Sequence, residues 1–127
     1  TIHVISVFKS DDQWALETIE NSDMVTKSPI VAEQDAAYRE ILEAKREVAL
    51  QKMKWMLGNA LDGYEGKVLI EAVSNMDPAE GIVNYAKQRN CDLIVMGRRG
   101  LGSVRSMIGS VSQRVAHETD LPLLVVK

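Results

Sequence analysis

At 127 residues the chain has the length of one domain, and 46% hydrophobic with 26% charged residues is the composition of a cored globular protein, not a disordered one. Lysine and arginine number 15 against 18 acidic residues, a net charge of −3 that excludes a global basic field for a nucleic-acid backbone, so any anion site must be local. The longest apolar runs, Leu93 to Met96 and Leu121 to Val126, are too short to span a bilayer, and no basic segment with a signal-like core opens the chain; a cytoplasmic protein with neither membrane nor nucleic-acid partner is expected.

Ile2 to Phe8 is a β-branched apolar run closed by Lys9-Ser10-Asp11-Asp12, which predicts an internal strand. From Asp11 to Ile30 the signals are mixed: Trp14, Leu16 and Ile19 form a short helical face after an aspartate cap, and Asn21 to Pro29 reads as loop. Between Ala32 and about Gly58, apolar Ile41, Leu42, Val48, Ala49, Met53, Met56 and Leu57 recur at helical spacing with charges between them, predicting one long amphipathic helix. Gly63 and Gly66 mark a turn before a second strand over Lys67 to Val73.

Asp77-Pro78-Ala79-Glu80 combines an N-cap aspartate, a proline at the first helical position and a glutamate three residues after the cap. The helix it starts should bury Ile82, Val83 and Ala86 and stop near Asn90, a residue that tolerates the left-handed conformation of a helix end. Asp92 to Met96 follows, apolar after its first residue, as expected of a strand covered on both faces. Ser110 to His117, with Val111 and Val115 on one face, predicts the last helix, and Leu121 to Val126 the last strand. Strands alternating with helices imply an α/β fold, an open parallel sheet with helices on both faces, over residues 1–127 as a single domain.

The third strand runs into Gly97-Arg98-Arg99-Gly100-Leu101-Gly102-Ser103, and Gly109-Ser110-Val111-Ser112 opens the last helix. Glycine lets backbone amides curl around an anion, Arg98, Arg99 and Arg105 add charge, and the hydroxyls of Ser103, Ser110 and Ser112 can donate to phosphate oxygens. A helix N-terminus at Ser110 adds the favourable end of its dipole, at the carboxyl end of a strand, where open α/β sheets bind ligands. The competing reading is a surface loop whose arginines only solubilise it. There is no G-x-x-x-x-G-K-[ST], and the Gly100-Leu101-Gly102 segment lacks the last glycine of the dinucleotide fingerprint, which disfavours a P-loop hydrolase or a Rossmann dehydrogenase.

With Gly97-Arg98-Arg99-Gly100 followed by Gly109-Ser110, the chain resembles the ATP-binding members of the universal stress protein family, which carry G-x2-G-x9-G-[ST] between penultimate strand and last helix. Asp77-Pro78-Ala79 and Leu121 to Val126 resemble that family's helix start and closing strand. The resemblance implies an adenine-nucleotide alpha-hydrolase-like fold. It also implies ATP or another adenine nucleotide as ligand, magnesium arriving with it, and contacts from Val7, Met96, Gly97, Arg98, Arg99, Gly100, Gly109, Ser110, Val111 and Ser112. Homodimerisation, for which the strand Leu121 to Val126 supplies an edge, and a stress-response switch with little or no catalysis complete the expectation.

Eight residues separate Gly100 from Gly109, one fewer than the pattern, so the loop must close more tightly or bind differently. Thr1 to Phe8 aligns best with the family's second strand, so its opening strand and helix, with an adenine-contacting aspartate, have no counterpart in these residues. Either an N-terminal part lies outside these residues, another segment fills the gap, or Thr1 to Phe8 takes that place; the absent initiating methionine favours the first. Both departures keep a nucleotide-free dimeric interaction module of the same fold as the alternative function. Slow ATP hydrolysis needs a water-positioning carboxylate that the loop does not offer.

Elsewhere the residues point to structure. Cys91 cannot form an intrachain disulfide and reads as a packed thiol, and His3 and His117 make no metal-ligand set. Asp11, Asp12, Glu17 and Glu20 fit a solvated helix start better than a cation site. The methionines are core filler, His117 suits the end of a helix, and no nucleophile and base pair can be assigned.

Overall fold

A computed structural model of the protein describes residues 1–9, 29–98 and 109–127, with side chains of the first helix described from 36 onward. The expected helix after Asp11, the acidic residues around it and the loop from Arg99 to Ile108 lie outside the described residues. The architecture is α/β: β1 (Ile2–Phe8), α1 (Pro29–Leu57), β2 (Val68–Ser74), α2 (Pro78–Gln88), β3 (Ile94–Gly97), α3 (Ser110–Glu118) and β4 (Leu123–Val126). The chain divides into two compact units, Thr1–Met76 and Asp77–Lys127.

In the first unit β1 and β2 pair in parallel, Ile2 opposite Val68 through Phe8 opposite Ser74. The ladder continues past both ends, Ile2 N donating to Lys67 O (2.8 Å) and Asn75 N to Phe8 O (3.1 Å). Helix α1 packs on both strands. Gly58 follows it with φ +48, the left-handed backbone that glycine adopts at low cost, and its N–H donates to Lys54 O. The apolar residues of α1 do not form a single face. Leu42, Ala49, Met53 and Leu57 are buried or half-buried, whereas Ile41, Val48 and Met56 are exposed. Helical spacing is compatible with either set, and only the position of the strands selects one.

In the second unit α2 begins as its sequence predicts: the Asp77 carboxylate accepts from the amides of Ala79 (3.1 Å) and Glu80 (3.4 Å), with Pro78 in the first turn. It ends in a Schellman arrangement. Asn90 takes φ +52, Cys91 N donates to Ala86 O (2.9 Å) and Asn90 N to Lys87 O (3.1 Å). Ala79, Val83, Ala86, Ile94 and Val115 form the core, and Ile82, Cys91, Met96, Val111, Leu121 and Leu123 pack around it. The cysteine is therefore a packed thiol, as its position before β3 implies.

Strands β3 and β4 pair in parallel, Ile94 opposite Leu123 through Gly97 opposite Val126. The last strand starts later than its apolar run, because the Leu121 amide is held by Thr119 Oγ1 (3.1 Å) and Pro122 has no amide to offer. The expected burial on both faces is not observed: Ile94 and Met96 face the core, while Val95, Leu124 and Val126 are exposed. Within this unit the core covers one face of the strand pair, so continuous apolarity overstated what is packed. No described helix is long and apolar enough to cross a membrane.

Candidate functional site

The strand β3 ends at Gly97 and the helix α3 starts at Ser110, with Gly109 as its N-cap. Two hydrogen bonds hold these two ends together and a third ties the strand end to β4. Gly109 N donates to Arg98 O (2.9 Å), Arg98 N to Val126 O (2.7 Å), and the Ser112 hydroxyl to Gly97 O (3.0 Å). The base of the intervening loop is thus closed on itself and tied to β4.

Helix α3 differs from α2 in how it begins. Its first i to i−4 bond runs from Gln113 N to Gly109 O (3.1 Å), so the amides of Ser110, Val111 and Ser112 have no acceptor within the helix. Asp77 satisfies the corresponding groups of α2, but Gly109 has no side chain to do so and makes no capping bond. Its backbone, φ −60 and ψ 151, is ordinary extended geometry, and the glycine adds no side-chain atoms beside the amides. Donors of this kind at the positive end of a helix dipole suit a phosphate.

Of the residues expected to contact nucleotide, Met96, Gly97, Arg98, Gly109, Ser110, Val111 and Ser112 come together at this junction. Gly97 and Ser110 are exposed, Arg98 and Val111 half-buried, and Ser112 is 4% exposed. The Ser112 hydroxyl thereby positions the helix against the strand while its amide remains among the leading donors. Arg99 and Gly100 lie outside the described residues. Val7 belongs to the first unit, in register with Val73 near the end of β1. His117 is exposed in the last turn of α3, and among the described residues no group of three or more His, Cys, Asp or Glu could hold a metal ion.

One tie of this unit is invisible to local sequence reading. Arg114, on α3, pairs with the Asp77 carboxylate that caps α2, and its second nitrogen donates to Glu118 (2.7 Å) one turn on. The Arg114–Glu118 spacing is legible as a helical ion pair, but the partner 37 positions away is not. Partial burial pushes the Asp77 carboxyl upward, yet the Arg114 hydrogen bond and charge and the two capping amides outweigh it and hold it below the ordinary carboxylate value of 3.8. A carboxyl lowered on folding stabilises the fold above its unfolded value, and that contribution is lost as pH falls through the lower, folded value. Asp77→Asn, which keeps a capping oxygen, should therefore lower Tm at pH 7, with the gap from the parent closing as the buffer is taken below pH 3.8. A gap independent of pH would show that the ion pair contributes nothing.

Residues 13–127 match the model of the universal stress protein family. Universal stress protein YxiE of Bacillus subtilis is 36% identical over 88 residues, 67% of this chain and 59% of its own length. Universal stress protein MJ0531 of Methanocaldococcus jannaschii is 37% identical over 89 residues, 69% of this chain and 49% of its own. The aligned stretches thus span between half and three-fifths of these relatives. Universal stress protein UspA from Lactobacillus plantarum superimposes with a TM-score of 0.60 at 21% identity, covering 99% of this chain and 97% of that one, a likeness of fold.

Proposed function

Because the chain belongs to the universal stress protein family, we propose that it binds ATP or a related adenine nucleotide and uses occupancy as a stress-response switch in the cytoplasm, with little or no turnover. The observation that carries this reading is the N-terminus of α3, where Gly109 leaves the amides of Ser110, Val111 and Ser112 without a capping side chain at the end of β3. Phosphate oxygens take those amides; Gly97 and Gly100 allow close approach, and Arg98 and Arg99 offset the charge, with magnesium carried in by the nucleotide. Met96 is the apolar position of this unit assigned to the nucleoside. No nucleophile and base are assigned, and the one hydroxyl buried at the junction among the described residues, that of Ser112, is engaged with a carbonyl. Pairing of two copies through the β4 edge is part of the same proposal.

The second reading is a nucleotide-free dimeric interaction module, favoured by the loop one residue short of the family pattern and by the Ser112 bond to Gly97. Mass spectrometry of small molecules released on denaturing the purified protein separates the two. Recovered adenine nucleotide is the expected result; none, with no heat on titration with ATP and magnesium, selects the module.

A further inference from the structure

Helix α1 carries a second apolar stripe that its own domain does not use. Ala37, Ile41, Ala44, Val48, Gln51 and Trp55 follow one another at alternating spacings of four and three, and every one is exposed. Ile41 is 48%, Val48 69% and Trp55 83% exposed, while Leu42, Ala49, Leu50 and Met53 face inward. A four-three alternation over the 19 residues from Ala37 to Trp55 is the spacing of a coiled-coil seam, with Ile41, Val48 and Trp55 at one core position and Ala37, Ala44 and Gln51 at the other. Gln51, the polar member, donates to Glu47 on its own helix (2.9 Å).

The charges beside the seam identify its occupant. Exposed Glu40, Glu47 and Lys54 line one flank, and exposed Lys45 and Lys52 the other. When two such helices lie parallel and in register, a residue on the first flank meets the residue five positions later on the partner's second flank, which pairs each glutamate with a lysine: Glu40 with Lys45, Glu47 with Lys52, twice over by symmetry. Antiparallel helices set Glu47 against Glu47 and Lys45 against Lys52, leaving only Glu40 with Lys54 as an attractive pair. The same flanks, two glutamates and three lysines, differ by a single charge, so they offer no strongly basic face to an anionic membrane. We infer that two copies of this chain associate through α1, parallel and in register, along the stripe from Ala37 to Trp55. This contact lies in the first unit and is independent of nucleotide and of the β4 edge.

Cross-linking in the protein tests the geometry. In a Cys91→Ser background, Ala44→Cys brings two thiols within the roughly 4–7 Å Cα separation that a disulfide needs only if the helices are parallel and in register. Oxidised glutathione should give a covalent dimer at position 44, and little at Glu43→Cys, which lies off the seam. Charge reversal tests the partner. Lys45→Glu with Lys52→Glu, and separately Glu40→Lys with Glu47→Lys, should each weaken α1-mediated self-association about tenfold or more, and the two variants mixed should pair with each other. All four positions are exposed, so unchanged far-UV circular dichroism verifies folding. Equal cross-linking at 43 and 44, association indifferent to charge, or binding to anionic phosphatidylserine vesicles without cross-linking at 44 would overturn the inference.

Discussion

Gly109→Asp should leave the protein as stable as the parent, or more so, while weakening adenine-nucleotide binding about 100-fold or more. The backbone at Gly109, φ −60 and ψ 151, accepts any L residue, so the aspartate adds no backbone strain. As an N-cap it accepts from the amides of Val111 or Ser112, the donors assigned to phosphate, and adds a negative charge to them. Charge-assisted hydrogen bonds contribute about 1.5–3 kcal/mol each, so losing two costs roughly 3–6 kcal/mol, and each 1.4 kcal/mol is about tenfold in affinity. Titration calorimetry with ATP and magnesium, alongside a thermal melt, measures both quantities. Unchanged affinity would place the phosphates elsewhere. Gly109→Ala, which adds no acceptor, should lose far less.

The second large effect is on stability. Val115 is the only described large side chain that is fully buried, at 0% exposure, and it joins α3 to Ala79, Val83 and Ala86 of α2 and to Ile94 of β3. Trimming it to alanine leaves a cavity and should cost about 1.5–3 kcal/mol. Val115→Asp places a charge among apolar groups with no partner and should cost more than about 4 kcal/mol, a large share of the 5–15 kcal/mol that holds a typical domain folded. Urea unfolding followed by circular dichroism reads the loss. Gln113→Asp, two residues away and exposed, should change stability by no more than about 0.5 kcal/mol. A parent-like midpoint for Val115→Asp would mean that the packing around α3 is not the core of this unit.

Local chemistry was the legible part of this fold. Asp77-Pro78-Ala79-Glu80 favours a helix start by local chemistry, because cap, proline and amides lie within four residues of one another, and the structure places α2 there. Asn90 likewise ends that helix with a positive φ. The run Ile2 to Phe8 is a strand from its first residue to its last, and the glycine and serine spacing after β3 identifies where a helix N-terminus stands uncapped.

Faces were less legible than elements. Ile41 and Val48 satisfy helical periodicity as well as Leu42 and Ala49 do, and periodicity has no term for which side the strands occupy. In β3 the apolar run implied two covered faces, but Val95 is exposed, since burial depends on which neighbours arrive and not on the strand's own residues. Ser112 illustrates the same limit at the site: its type and position suit a phosphate donor, yet its hydroxyl bonds a strand carbonyl fifteen residues earlier.

By itself, then, the sequence determined the order of strands and helices, the caps that bound α2, the glycine that leaves α3 uncapped and the family to which these features belong. Each of these depends on groups a few residues apart, whose geometry the chain imposes before it folds. Only the tertiary structure decided that Arg114 reaches Asp77, that Ser112 locks the helix to Gly97, and that α1 turns one apolar stripe inward and leaves another in solvent. Those choices rest on contacts between distant segments, where several pairings satisfy the same local pattern and packing selects among them.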